Sequence, residues 1–496
     1  MKNYQKLEKH FIKISKFNHL AAICSWDQAA MMPSGGNTAR SEAMAELALH
    51  VHQLQSQPEL ADLYAAAETE ALSADQKSSL REMKRVWMND KIIPADMVEA
   101  ASLAGSKCEH AWRTQRGEND WAGFAENFAE VVSLSQQEAQ IRAGHSSVSN
   151  QTNYDAMLNL YEPGTTTASL DTLFADVKTW LPTMVAEIAQ KQKSEKAIGF
   201  GDNFPIEAQK QLGQKTMKLL GFDFDHGRLD VSVHPFCGGV PSDVRITTRY
   251  DETEFVSAMM GVVHETGHAC YEQGLPKNLS GLPAGEARSM GIHESQSLFF
   301  EMQLGRSQEF LALVSPLLSE LFGTNQTAAF GAENLFKAYT RVEPGYIRVD
   351  ADEVTYPAHI ILRYEIERDL MNGNIGYKDV PDIWAQKMQD YLGLDTKGNY
   401  KNGCIQDIHW TMGAFGYFPS YTLGAMYAAQ FKASMLKTVD VNAAISSGDL
   451  SPIFDWLRSN IWQKASLYGT DDLVTQATGE PLNAAHFKAH LQARYL

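Results

Sequence analysis

Apolar residues recur at three- and four-residue intervals along most of this chain, the period of helices that bury one face. The spacing predicts helices over Ser41 to Ala67, Ala74 to Asn89, Ala95 to Arg116 and Trp121 to Ala143. It does so again over Leu170 to Lys193, Ser307 to Leu321, Thr327 to Arg341, His359 to Met371 and Tyr421 to Lys437. One stretch breaks the pattern. Val231, Val233, Val244, Ile246 and Thr248 alternate with polar residues on either side of Cys237-Gly238-Gly239-Val240-Pro241. A period of two around a Gly/Pro turn predicts a short antiparallel hairpin or a pair of edge strands between Leu229 and Tyr250. Arg245 and Thr247 then project opposite Val244 and Ile246, and an exposed edge can pair with an extended peptide. The expected fold class is mainly α, with this small β hairpin or sheet beside the helices. No Pro/Gly/Ser-rich linker, repeat or low-complexity run divides the 496 residues, so one large helical domain over 1–496, with two lobes around a cleft, is expected.

Composition narrows the partners. Hydrophobic residues make up 44% and charged residues 21%, as in globular proteins with a large core. A net charge of −17, from 43 basic and 60 acidic side chains, repels phosphate backbones and argues against nucleic acid. No apolar run approaches the about 18 residues of a membrane span. The opening Met1-Lys2-Asn3-Tyr4-Gln5-Lys6-Leu7-Glu8-Lys9-His10 has no apolar signal core. The five cysteines, Cys24, Cys108, Cys237, Cys270 and Cys404, are scattered as reduced thiols are. A cytoplasmic protein is expected.

The chemistry concentrates in His264-Glu265-Thr266-Gly267-His268. On a helix of about 3.6 residues per turn the two histidines lie about 40° apart, so their imidazoles can meet one metal ion. Glu265 points beside that ion, where a general base must sit. Asp251 and Glu254 have capping-box spacing and predict the helix start; Gly274 and Pro276 predict its stop. Phe255, Met259, Val262, Val263 and Cys270 supply its apolar face, and Cys270, roughly 200° beyond His268, belongs to the core. Buried histidines satisfied by hydrogen bonds are the competing reading.

A tetrahedral catalytic site takes three protein ligands and an open position. Glu286 to Leu304 reads as a second helix with Met290, Leu298, Phe299 and Met302 as its apolar stripe. Running back antiparallel after Gly274 to Gly285, it can return Glu294 to the histidines as a third ligand. A solvated glutamate is the alternative. Two His and one Glu suit Zn2+, with Co2+ or Mn2+ as substitutes.

These motifs, with His293-Glu294-Ser295-Gln296, resemble the carboxypeptidase Taq family of zinc metallocarboxypeptidases. His234-Pro235-Phe236, Asp243-Val244-Arg245-Ile246-Thr247, Ile347-Arg348-Val349-Asp350-Ala351-Asp352 and Gly403-Cys404-Ile405-Gln406-Asp407-Ile408-His409-Trp410 match its other signatures in order. Trp26-Asp27, Met32-Pro33-Ser34-Gly35-Gly36 and Thr478-Gly479-Glu480-Pro481-Leu482 are also similar to the family, so the resemblance covers essentially the whole chain. It implies a deep active-site cleft with N-terminal helices as one wall, one zinc ion per chain, a homodimer, and peptide substrates with a free C-terminus.

The resemblance also implies residue roles. Arg348, whose guanidinium can bind a carboxylate through two parallel bonds, becomes the clamp on the substrate terminus. His409 and either Tyr421 or Tyr417 become donors to the oxyanion. His234, Asp243, Arg245, Gln406 and Asp407 border the substrate. Asp352 is a candidate for orienting a metal-bound imidazole. The expected reaction is release of single C-terminal residues. A helical zinc endo-oligopeptidase is the near alternative, and a non-catalytic binding protein with a relict site the distant one.

Overall fold

Helix boundaries fall where the chain carries breakers. In the computed structural model, which describes residues 2–146, 150–323 and 328–496, the predicted helix over Ser41 to Ala67 divides at Pro58 into Asn37–Gln55 and Glu59–Ala67. Ala74–Lys91, Ala95–Glu118, Trp121–Gly144, Thr167–Gln192 and Gln308–Phe322 match their expected spans to within a few residues. Ala332–Tyr339 is shorter than the expected Thr327 to Arg341, and Thr327 itself lies outside the described residues. The helix Asn3–Ala30 buries a narrow stripe of Tyr4, Leu7, Phe11 and Ile14 and, near its end, Trp26, too little apolar surface for the period to mark it. Among the described residues no helix is long and apolar enough to cross a membrane.

The chain forms two compact units, each assembled from three segments. The first comprises Met1–Asp90, Ala197–Tyr339 and Gly424–Asn483. Tyr4, Leu7 and Phe11 of its first helix pack with Leu60, Tyr64, Met83 and Trp87. The unit also holds the sheet, made of β1 (Gly227–Val231), β2 (Phe236–Val240) and β3 (Asp243–Thr248) in the order β1-β3-β2. The β2–β3 pair is the expected hairpin, with Phe236 opposite Thr247. The surprise is β1, which pairs parallel to β3, with Gly227 opposite Val244. Residues 232–235 arch over a strand's width, and β3 fills the slot between. The arch is tied down at Thr247 Oγ1, which lies 2.7 Å from Ser232 Oγ and accepts from Phe236 N–H at 3.1 Å. Thr247 is therefore buried rather than solvent-facing, and β3 is a central strand rather than an edge.

The helix Val256–Gly274 packs on β3 and is buried almost all round. It starts later than the capping-box spacing predicts. Asp251 instead caps a tight turn through Thr253, and Glu254 accepts from Ser257 N–H at 2.9 Å. The expected second helix is also shorter: Met290–Leu298 is α-helical, capped by Ser289, and Phe299–Gly305 continues it as a π turn. Met290, expected in the apolar stripe, is exposed.

The second unit comprises Lys91–Lys196, Thr340–Leu423 and Ala484–Leu496. Its central helix, Tyr356–Met371, buries His359, Arg363, Glu365 and Glu367 along with its apolar residues. Each buried charge has partners. Glu365, for example, receives Lys178, Lys387 and Tyr391.

Candidate active site

Local helix geometry aims His264 and His268 the same way, and two close approaches bring Glu294 to them. Gly267 faces the backbone of the next helix, where an added Cβ would lie 2.4 Å from Gln296 O and 2.7 Å from Ser297 Cα. Gly424 leaves room for Glu294 itself, since a Cβ there would lie 2.7 Å from Glu294 Cβ. The result is a compact donor set. One ligand atom from each of His264, His268 and Glu294 lies within 4.8 Å of the others. His268 Nε2 is 3.4 Å and His264 Nε2 3.9 Å from the Glu294 carboxylate.

Hydrogen bonds fix which nitrogen of each ring is available. His264 Nδ1–H donates to Glu301 Oε2 at 3.0 Å, and Arg306 anchors the other Glu301 oxygen at 2.7 Å. His268 Nδ1 lies 3.1 Å from the His293 carbonyl oxygen and 2.6 Å from His293 Nδ1, while His293 Nε2 meets Glu272 at 2.8 Å. All three contacts are satisfied when His293 Nε2–H donates to Glu272 and His268 Nδ1–H is shared between the His293 carbonyl oxygen and His293 Nδ1. Both imidazoles thus turn Nε2 toward Glu294, with Nδ1 held by an outer partner, as in histidines oriented for a metal ion.

The electrostatics fit a cation. Burial, followed by the charge of His293, pushes His268 down to about 4 and keeps it neutral. Burial opposes ionisation of Glu294, but the two imidazoles hold its carboxylate below the usual range. At His264 burial is outweighed by Glu301, Glu294 and Glu265, which push it up to about 10. Converging carboxylates therefore call for positive charge between them, a role a divalent ion fills. Glu265 stands beside the set, 9% exposed, and burial pushes it up to about 7. Cys237 on β2, the edge strand packed against the Val256–Gly274 helix, is also pushed up, by burial and then by Glu265 and Glu272.

The other predicted residues form two groups. On the sheet, Arg245 pairs with Asp243 through bonds of 2.6 and 2.7 Å and stacks over Trp26, its guanidinium carbon 4.3 Å from the ring centroid. His234 is exposed beside them, its carbonyl taken by Ser232 Oγ. In the second unit, Asp407 is shared between two arginines. Its Oδ1 meets Arg348 Nε at 2.9 Å and its Oδ2 meets Arg363 Nε at 2.8 Å. Burial opposes ionisation of Asp407, but Arg363 and Arg348 hold its carboxyl well below the usual range. Two guanidiniums against one carboxylate leave one positive charge over in this group, and Arg348 Nη1 also donates to Tyr356 Oη at 2.7 Å. Gln406 accepts from Arg348 N–H at 2.8 Å and donates to Tyr346 O, Asn402 O and Gly403 O, so Gln406 and Asp407 brace Arg348 from behind.

His409 Nε2 lies 3.2 Å from Tyr421 Oη, and Tyr421 occupies the first turn of the helix Pro419–Met435. Tyr417 packs edge-on against Tyr161 at 5.1 Å. Burial, then Arg348 and Arg363, push His409 down to about 4 against the pull of Asp407, so the ring is neutral. Asp352 departs from its suggested role. Its oxygens accept from Glu343, Val354 and Thr355 N–H and Thr355 Oγ1, which makes it a loop brace. The sequence reading missed Glu301, Glu272, Arg363 and Tyr356. For Glu301 a signal existed: it lies seven residues after Glu294, on the same helical face.

A helical scaffold that converges two imidazoles and a carboxylate, with a further buried carboxylate adjoining, is a donor set of the kind metallopeptidases use. Residues 6–495 match the carboxypeptidase Taq (M32) metallopeptidase family. The chain is 35% identical to carboxypeptidase 1 of Bacillus subtilis (strain 168), covering 98% of each chain. It is 36% identical to thermostable carboxypeptidase 1 of Thermus thermophilus, covering 99% of this chain and 98% of that one. Among solved structures it superposes on Trypanosoma cruzi metallocarboxypeptidase 1 with a TM-score of 0.97, at 45% identity and 99% coverage of both chains. The chain belongs to the carboxypeptidase Taq (M32) family of metallopeptidases, and it is a peptide hydrolase of the carboxypeptidase type.

Proposed function

We propose that this carboxypeptidase is zinc-dependent and releases single C-terminal residues from peptides with a free terminal carboxylate. The observation that carries the reading is the convergence of His264, His268 and Glu294, with Glu265 beside them. When bound, zinc supplies Lewis acidity and acidifies water. Glu265, buried beside the donor set, takes the water proton and returns it to the leaving amine. Arg348 binds the substrate carboxylate with the positive charge left over in its group. His409 and Tyr421 offer neutral donors to the oxyanion, and their mutual distance of 3.2 Å favours Tyr421 over Tyr417 as the partner.

The test is metal analysis of the purified chain together with mass-spectrometric digestion of one peptide as free acid and as amide. Stoichiometric zinc and stepwise shortening of the free acid alone are expected. Internal cleavage of both peptides would overturn the reading in favour of an endo-oligopeptidase. The homodimer implied by family resemblance belongs to the same proposal and is checked by sedimentation.

A further inference from the structure

Glu367 belongs to none of the signature motifs, yet it is fully buried on the central helix of the second unit. Its Oε1 accepts Trp410 Nε1–H at 2.7 Å. Its Oε2 accepts Gly416 N–H at 3.0 Å and Tyr154 Oη–H at 2.9 Å. Trp410 directly follows His409, and Gly416 directly precedes Tyr417. The segment between these anchors is short and closes on itself: the His409 ring sits 5.3 Å from Tyr417 and 4.5 Å from Phe418. A second buried carboxylate, Glu162, accepts Ser420 Oγ–H at 2.7 Å, one residue before Tyr421.

A buried carboxylate is costly, and an apolar side chain of similar volume fills the same space. What a carboxylate alone offers here is an acceptor on each side for two donors that cannot turn round, an indole N–H and a backbone N–H. We propose that Glu367 is a positioning residue for catalysis: it sets the His409–Tyr421 segment in the geometry that presents the His409 and Tyr421 donors to substrate. This rests on the proposed role of those two donors in the transition state.

The isosteric E367Q makes the argument testable. Whichever way the amide turns, its NH2 faces either the Trp410 N–H or the Gly416 N–H, so one donor pair must part. The variants E367Q, Y421F, H409A, W410F, E367Q/Y421F and E367Q/W410F are assayed as zinc-loaded full chains on one free-acid peptide, with melting temperature and zinc content recorded. E367Q is expected to lower kcat at least about tenfold while KM changes less than about twofold, the mark of a lost transition-state interaction. E367Q/Y421F should be little worse than Y421F, because the two changes damage one device. W410F removes one fixed donor, so the amide NH2 can face the phenyl ring, and E367Q/W410F should match W410F alone.

A lower melting temperature with kcat and KM both intact, or losses in E367Q and Y421F that multiply independently, would overturn the inference alone. Unchanged kcat in both Y421F and H409A would overturn the donor reading and the inference with it. If E367Q does not fold, the comparison of E367Q/W410F with W410F decides, and a further loss of kcat there refutes the proposed clash.

Discussion

Arg348→Met removes the charge proposed to clamp the substrate terminus while keeping a long side chain in its place. The surroundings predict that the fold tolerates it. Asp407 loses its bond to Arg348 Nε but retains Arg363, whose Nε and Nη2 lie 2.8 and 2.6 Å from Oδ2. The buried carboxylate is therefore never left unpaired, and the Arg348 backbone bond to Gln406 is untouched by the change. What disappears is the surplus positive charge. A charge-assisted bond to a carboxylate is worth about 1.5–3 kcal/mol. At about 1.4 kcal/mol per factor of ten, kcat/KM for a free-acid peptide should fall about 10- to 150-fold. The amidated peptide has no anion to bind, so its much lower kcat/KM should change little. The assay is initial rates on both peptides with wild type and variant, alongside thermal melts of each. Equal losses on acid and amide would refute the clamp and make Arg348 a structural member of the Asp407 pair.

Four further outcomes follow from the site. Glu265→Gln should keep its metal by elemental analysis and lose turnover by several orders of magnitude; near-normal turnover would remove Glu265 as the base. Glu301→Gln sets an amide against two donors, His264 Nδ1–H and Arg306, so metal affinity measured by chelator competition should fall about 10- to 100-fold, and an unchanged affinity would contradict the orienting role. Gly267→Ala places a methyl against Gln296 O and Ser297 Cα, both backbone, so denaturant melts should show a loss of about 1–3 kcal/mol, accompanied by lower zinc content; wild-type values would mean the helices separate freely. His409, pushed down to about 4, stays neutral in the fold while an unfolded histidine titrates near 6.5; its contribution to stability is present above that value and lost as pH falls toward about 4, and its imidazole resonance should not titrate between about pH 5 and about pH 8.

Much of the candidate metal site was legible because its geometry is local. Four residues along a helix put His264 and His268 on one side whatever surrounds them, and a carboxylate on the next helix was a short chain distance away. The apolar period marked most helices for the same reason: it reports only that one face is buried. Direction and partner are another matter. Alternation announced the strands, yet nothing in it said that β1 would run parallel to β3, since that depends on how residues 232–235 arch and where Thr247 lands. Polar positions were the least legible. On Tyr356–Met371 the period assigns Arg363 and Glu367 no particular face, but Asp407, 44 residues beyond Arg363, and Trp410, 43 beyond Glu367, make their burial tolerable. A charge is buried only where distant groups neutralise or solvate it, so its place is settled by tertiary partners and not by its neighbours in the chain. The amino-acid order alone pointed to a helical metallopeptidase with two imidazoles and a carboxylate in phase on one helix. Only the folded chain decided that Gly267 and Gly424 admit Glu294, that Glu301 and His293 aim the rings, and that Arg348 and Arg363 carry one charge more than Asp407 neutralises.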